Sequence, residues 1–222
     1  HTGGQWETVL RFLNNQPFNI QDPLFGRDIG FYVFRLPLFE TLYGWALALL
    51  GIAFLLTAAT YVLHRGIQIT PRGPAVAPYA RAHLLTLGAL ILIVKAGGYY
   101  LDTYHLLLSP TGIVFGATYS DIAVNLPALR ILAVLALACA ALCIWQIGRR
   151  GIRPVFVAVG VLLAANVLGL GVLPSAIQRF RVVPNEIVAE RPYIEQNIKH
   201  TRMAYGLDRI KQSLGAVGWA AK

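Results

Sequence analysis

The stretch AHLLTLGALILIVKAGGYYL, residues 82–101, decides the fold. It holds about 20 residues and is apolar apart from Lys95 and, near its start, His83. A helix of that length rises about 30 Å, the thickness of a bilayer's hydrocarbon core. An ionisable group such as Lys95 at membrane depth is costly, so it must reach the edge or find a partner. Further apolar runs at about 42–63, 126–147 and 155–173 read as three more spans.

Composition points the same way. Of the 222 residues, 56% are hydrophobic and only 13% are charged. Soluble domains carry about 25% charged residues. The deficit selects a helical integral membrane protein. The net charge of +9 does not mark a nucleic-acid partner, because six of the nineteen basic residues crowd two short loops between apolar runs. Those loops, 64–81 with Arg65, Arg72 and Arg81, and 148–154 with Arg149, Arg150 and Arg153, contain no acid. Arginine in short loops is the signal of the cytoplasmic side. Pro71, Pro74 and Pro78 keep the first of them from being helical.

The reading is an all-α membrane protein with four transmembrane helices. An N-terminal segment, 1–41, is interfacial and extracytoplasmic. A four-helix domain spans 42–174, and 175–222 is an extracytoplasmic tail. Trp6–Leu13 fits a short amphipathic helix at the interface. Ile29–Leu36 fits an interfacial segment anchored by Phe31, Tyr32 and Phe34. The loop 102–125 carries Asp102 and Asp121 without Lys or Arg, and packs back on the helices. The tail holds eight basic and four acidic residues, a net of 8 − 4 = +4. That cuts against an outward tail, but long translocated segments escape the charge rule. Pro192, Tyr193, Ile194, Ile198 and Tyr205, closed by Gly206, read as one amphipathic helix with a glycine stop. No internal repeat is evident.

Several motifs resemble those of a known family. They are Asp22-Pro-Leu-Phe-Gly-Arg-Asp-Ile-Gly-Phe-Tyr-Val-Phe-Arg-Leu-Pro37, Lys95-Ala with Tyr100-Leu-Asp102, and Gly116-Ala-Thr-Tyr-Ser-Asp121. Pro184-Asn-Glu186, Pro192-Tyr-Ile194 and Thr201-Arg202 belong with them. Together they are similar to an uncharacterised bacterial membrane-protein family with a seven-span head and a large extracytoplasmic domain. The resemblance implies a fragment: about three spans before His1 and a large outer domain after Lys222. It supports the outward tail and carries over no catalytic residue. Gly97-Gly98 departs from it, standing where a bulkier residue is expected.

Four intramembrane or edge groups are the candidate site: Lys95, Asn166, Asp102 and Glu40. Lys95 lies 13 residues from Ala82, about 19.5 Å along the helix. Asn166 lies 12 residues from Pro154, about 18 Å deep on a span of the same direction. Polar groups at one depth in lipid seek each other, so Lys95 and Asn166 are expected to approach across a helix interface. Asp102, seven residues beyond Lys95, shares its face, and Glu40 opens the first span on the same side. A structural ion pair or a snorkelled lysine is the plain reading, and a proton or ion relay is the functional one. His64 and His83 sit at the inner ends of neighbouring spans. They fit interfacial histidines, and haem or a chlorophyll-type pigment is the alternative. Asp22, Asp28, Asp102 and Asp121 sit where turns and helix caps use aspartate, so no metal is expected. Cys139 and Cys143 share a helix face and read as small packing residues.

No phosphate loop, Ser/His/Asp spacing, HExxH or CxxC is present, so the chain is not expected to be an enzyme. The expectation is a non-catalytic scaffold or accessory subunit of a larger complex in the inner membrane. Its partners are the bilayer and other membrane subunits, and no cofactor is implied. Both ends of the chain face outward. One alternative is a transporter or channel using Lys95 and Asn166. Another is an assembly or enzymatic role in an outer domain. Gly51, Ala53, Gly160, Ala164 and Ala165 favour close helix packing over a pore.

Overall fold

The computed structural model describes residues 3–70, 73–108, 116–149, 151–179, 194–195 and 198–207. Helix α1 is Gly3–Leu13. Four helices long and apolar enough to cross a membrane follow: α2 (Phe31–Leu63), α3 (Pro78–Leu108), α4 (Asp121–Gln146) and α5 (Arg153–Ile177). The chain is an all-α membrane protein. Among the described residues the strands are the short antiparallel pair β1 (Ile67–Thr70) and β2 (Gly73–Val76), Ile67 facing Val76; Pro78, expected to keep this loop from being helical, instead opens α3, where a first-turn proline is tolerated.

The spans are longer than the apolar runs. Helix α2 opens at Phe31, so the aromatic stretch expected to lie at the interface is its first turns. Helix α3 continues past Leu101 to Leu108, and α4 opens at Asp121. Asp102 and Asp121 therefore stand on helices, not in the loop to which the sequence assigned them. Polar residues at these ends hid the continuation, because a helix does not stop where the hydrocarbon stops.

Leu-Pro recurs three times, and each copy follows a wide π turn: Phe31–Arg35 before Leu36-Pro37, Asp121–Asn125 before Leu126-Pro127, and Val167–Val172 before Leu173-Pro174. In each, the leucine N–H reaches back five residues, Leu36 to Phe31, Leu126 to Asp121 and Leu173 to Leu168. Proline has no N–H, so the ladder returns to its four-residue register at the residue that cannot donate. All three lie at the bundle end opposite the arginine loops.

The core sits between α3, α4 and α5. Ala96 and Tyr99 pack on Leu129, Leu132, Ala136 and Cys139, with Leu162 closing the cluster. A second cluster, Leu85, Ala89, Ala140 and Cys143, continues the α3–α4 seam toward the arginine loops. Both cysteines are free and buried, as small packing residues are. Helix α2 is peripheral: Leu36 is its buried residue, while Leu42, Trp45, Leu49, Leu55 and Leu56 are exposed.

Outside the spans, residues 198–204 are helical and Gly206 follows at φ +66°. That is the left-handed stop expected there. Pro192 and Tyr193, the expected start of this helix, lie outside the described residues.

Candidate functional site

Lys95 projects from α3 at half-burial toward α2. Its ammonium donates to the Tyr43 hydroxyl at 3.3 Å and stands 4.8 Å from the centroid of the Tyr99 ring. Asn166 of α5 donates its amide to the Tyr99 hydroxyl at 2.7 Å. Tyr99 thus lies between Lys95 and Asn166, taking the cation on its face and the amide at its tip. A desolvated cation over an aromatic face is worth about 2 kcal/mol. Gly98 supplies the room: a Cβ on it would lie 2.5 Å from the Tyr43 ring. Gly98 lets α2 and α3 approach where Tyr43 must cross to Lys95.

The carboxylates of the expected site go elsewhere. Glu40 stands 2.5 Å from His105 Nε2 at the end of α3, not beside Lys95. Asp102 is exposed and feels the charges of Lys95 and His105 without an ion pair among the described residues. Lys95 is held by tyrosines and not by an acid. Spacing set Lys95 and Asn166 at one level, where both meet Tyr99, but missed Tyr43, Tyr99 and His105. A signal was there: Tyr99 is four residues after Lys95 and so on its face.

His64 and His83 are both exposed at the arginine-loop end. His64 Nδ1 lies 2.9 Å from the Thr60 carbonyl oxygen, and His83 Nδ1 lies 3.0 Å from the Tyr61 hydroxyl. Among the described residues there is no group of three or more His, Cys, Asp or Glu placed to hold a metal ion.

Three aspartates build the opposite end. The Asp22 carboxylate accepts the backbone N–H of Leu24 at 2.8 Å, Phe25 at 2.6 Å and Arg27 at 2.8 Å, and the Tyr32 hydroxyl at 2.9 Å. The resulting loop turns at Gly26, φ +63°, and lays Phe25, Phe31 and Tyr32 around Tyr104 of α3. Arg27 stacks over Phe31 and Tyr104. Asp121 forms a reciprocal cap with Thr118. The Thr118 N–H donates to its carboxylate at 3.1 Å, and the Asp121 N–H donates to the Thr118 hydroxyl at 3.2 Å.

Asp28 caps the turn ahead of α2, taking the Phe18 N–H at 3.1 Å and the Gly30 N–H at 2.7 Å. The Phe18 amide, first, and those of Gly30, Asn19 and Ile20 hold its carboxyl below the ordinary 3.8. A depressed folded value stabilises the loop above the unfolded pKa and stops doing so as pH falls through the folded one. Amide exchange at Phe18 and Gly30 is therefore expected to be slow at neutral pH and to accelerate, relative to its intrinsic rate, only below about pH 3.8. Protection that is already lost well above pH 3.8 sinks this reading.

The described cavities avoid Lys95 and Asn166. One, of about 460 Å³, lies between Asn15, Arg27, Asp28 and Arg35. The other, of about 370 Å³, lies between the spans at the arginine-loop end.

The sequence is similar over 208 residues, at 40% identity, to a UPF0182 protein of Frankia alni, covering 94% of this chain and 20% of that protein. It is 40% identical over 213 residues to a UPF0182 protein of Desulforamulus reducens, covering 94% of this chain and 22% of the relative. A UPF0182 protein of Pelotomaculum thermopropionicum is 42% identical over 212 residues, covering 94% and 23%. The chain spans about a fifth of the length of these curated relatives. No solved structure matches it. The model of the Uncharacterised protein family (UPF0182) matches residues 1–217, and the chain belongs to that family.

Proposed function

We propose that this chain is a non-catalytic part of a membrane domain, a scaffold or accessory unit within a larger membrane assembly. The observation that carries the reading is the use made of the intramembrane polar groups. Lys95, Tyr43, Tyr99 and Asn166 spend their hydrogen bonds and the cation on one another across α2, α3 and α5. A network satisfied by its own helices ties spans together. The exposed apolar face of α2 supports a neighbour there, either another span of the long protein or a separate subunit. The arginine-only loops support a cytoplasmic setting for that end of the bundle and an outer one for the π-turn end. No cofactor enters this reading, and His64 and His83 serve as interfacial polar residues.

The test is the full-length protein and its Lys95→Met variant, extracted gently from native membranes. A scaffold is expected to come out with a stoichiometric partner in both forms. The variant loses about 2 kcal/mol or less of stability, the worth of the cation on Tyr99. A lone particle whose cellular function vanishes in Lys95→Met without any loss of stability favours a transporter through Lys95 and Asn166 and removes the scaffold.

A further inference from the structure

The apolar cavity of about 370 Å³ lies between α2, α3 and α5, with Phe54, Leu85, Gly88, Leu92 and Phe156 on its walls and Arg81 at one end. Arg81 begins the second turn of α3, at the end of the bundle that also carries Arg65, Arg149 and Arg153. Its Nε is buried and has no hydrogen-bond partner among the described residues. Nor does Arg81 make an ion pair among them. The walls supply no carboxylate. A buried guanidinium nitrogen without an acceptor is costly, and the natural relief is an anionic oxygen brought in from outside.

From this juxtaposition we propose that the groove binds one anionic phospholipid, its acyl chain between α3 and α5 and its phosphate on Arg81. Both halves of such a ligand are matched. The walls are apolar along the direction in which an acyl chain runs, and the cation stands where a headgroup sits. A basic pocket between spans on the side of the arginine loops is the usual setting for an anionic headgroup. Gly88 leaves the channel open, since a Cβ there would meet nothing within 4 Å.

The test uses the full-length protein, delipidated in mild detergent. It is incubated with palmitoyl-oleoyl phosphatidylglycerol or with phosphatidylcholine of the same chains. Native mass spectrometry counts the lipid retained. The expected result is a preference of about fivefold for phosphatidylglycerol, the worth of one arginine near an anionic headgroup. Arg81→Gln abolishes the preference and leaves phosphatidylcholine retention unchanged. Gly88→Leu, which fills the channel, lowers retention of both. Equal retention by the unmodified protein overturns the proposal, as does a preference that survives Arg81→Gln. Retention of neither lipid also overturns it and assigns the groove to another span of the long chain. Should Arg81→Gln fail to elute as a single species, Gly88→Leu decides: unchanged phosphatidylglycerol retention overturns the proposal.

Discussion

Gly98→Ala is expected to destabilise the protein by about 1–3 kcal/mol, the usual cost of overpacking a fitted core. The added methyl would stand 2.5 Å from Cε2, Cζ and the hydroxyl of Tyr43. No real Cβ tolerates that approach, so either the helices part or the Tyr43 ring leaves. A departing ring takes its hydroxyl from Lys95, whose remaining contact is then the face of Tyr99. The cost is therefore coupled to Tyr43. In Tyr43→Ala, which has already emptied the space, Gly98→Ala is expected to cost less than about 0.5 kcal/mol, as a small change at an open site does. Thermal unfolding of the four proteins in detergent measures the coupling. Equal costs with and without the Tyr43 ring would show that Gly98 is not there for the ring. Gly97, one residue earlier, is the internal control. A Cβ there meets nothing within 4 Å, and Gly97→Ala is expected to be neutral or slightly stabilising.

The glycine pair illustrates what the sequence could and could not disclose. The four spans were legible because about 20 apolar residues in a row have one economical use. That Lys95 and Asn166 share a level of the bundle was legible because a helix rises 1.5 Å per residue wherever it occurs. What joins them was not. Tyr99 and Tyr43 carry no motif, and nothing local tells which way a tyrosine hydroxyl turns. Glu40 and Asp102 looked like partners for Lys95 because they share its side of the membrane. His105 reached Glu40 only because α3 runs on past Leu101, where the apolar run ends, and end positions depend on packing against the Phe25–Tyr104 cluster. The π turns were not legible, because a proline in sequence predicts a disturbed ladder and not which disturbance. The resemblance set the expectation of a bulkier residue at Gly97-Gly98, and the structure explains the departure at Gly98 by the ring that fills its place.

The same physics sets a contrast between two aspartates that look equivalent in sequence, each at the polar end of an apolar run. Asp121→Ala is expected to cost about 3 kcal/mol, because it strands the buried Thr118 N–H and the half-buried Asn125 amide. The Asp121 residue is 4% exposed, and Thr118 and Ser120 beside it are 3% and 7% exposed. Its carboxylate accepts the Thr118 N–H at 3.1 Å, the Thr118 hydroxyl at 2.8 Å and the Asn125 amide at 2.8 Å. Losing it breaks the cap on α4 and leaves two of those donors unpaired, since the Thr118 hydroxyl can still turn to Ser120 at 3.0 Å. The damage spreads to α5, because Ser120 donates to Gln178 at 2.9 Å. Asp121→Asn keeps the shape and one acceptor but turns an amide toward a donor, so its cost falls between zero and that of alanine. Asp102→Ala removes an exposed carboxylate with no hydrogen bond among the described residues and is expected to stay within about 0.5 kcal/mol of the parent. Thermal unfolding of the three variants ranks them. If Asp102→Ala destabilises as much as Asp121→Ala, the buried cap is not what holds the π-turn end of the bundle. In that case the charge facing Lys95 and His105 matters more than its exposure implies.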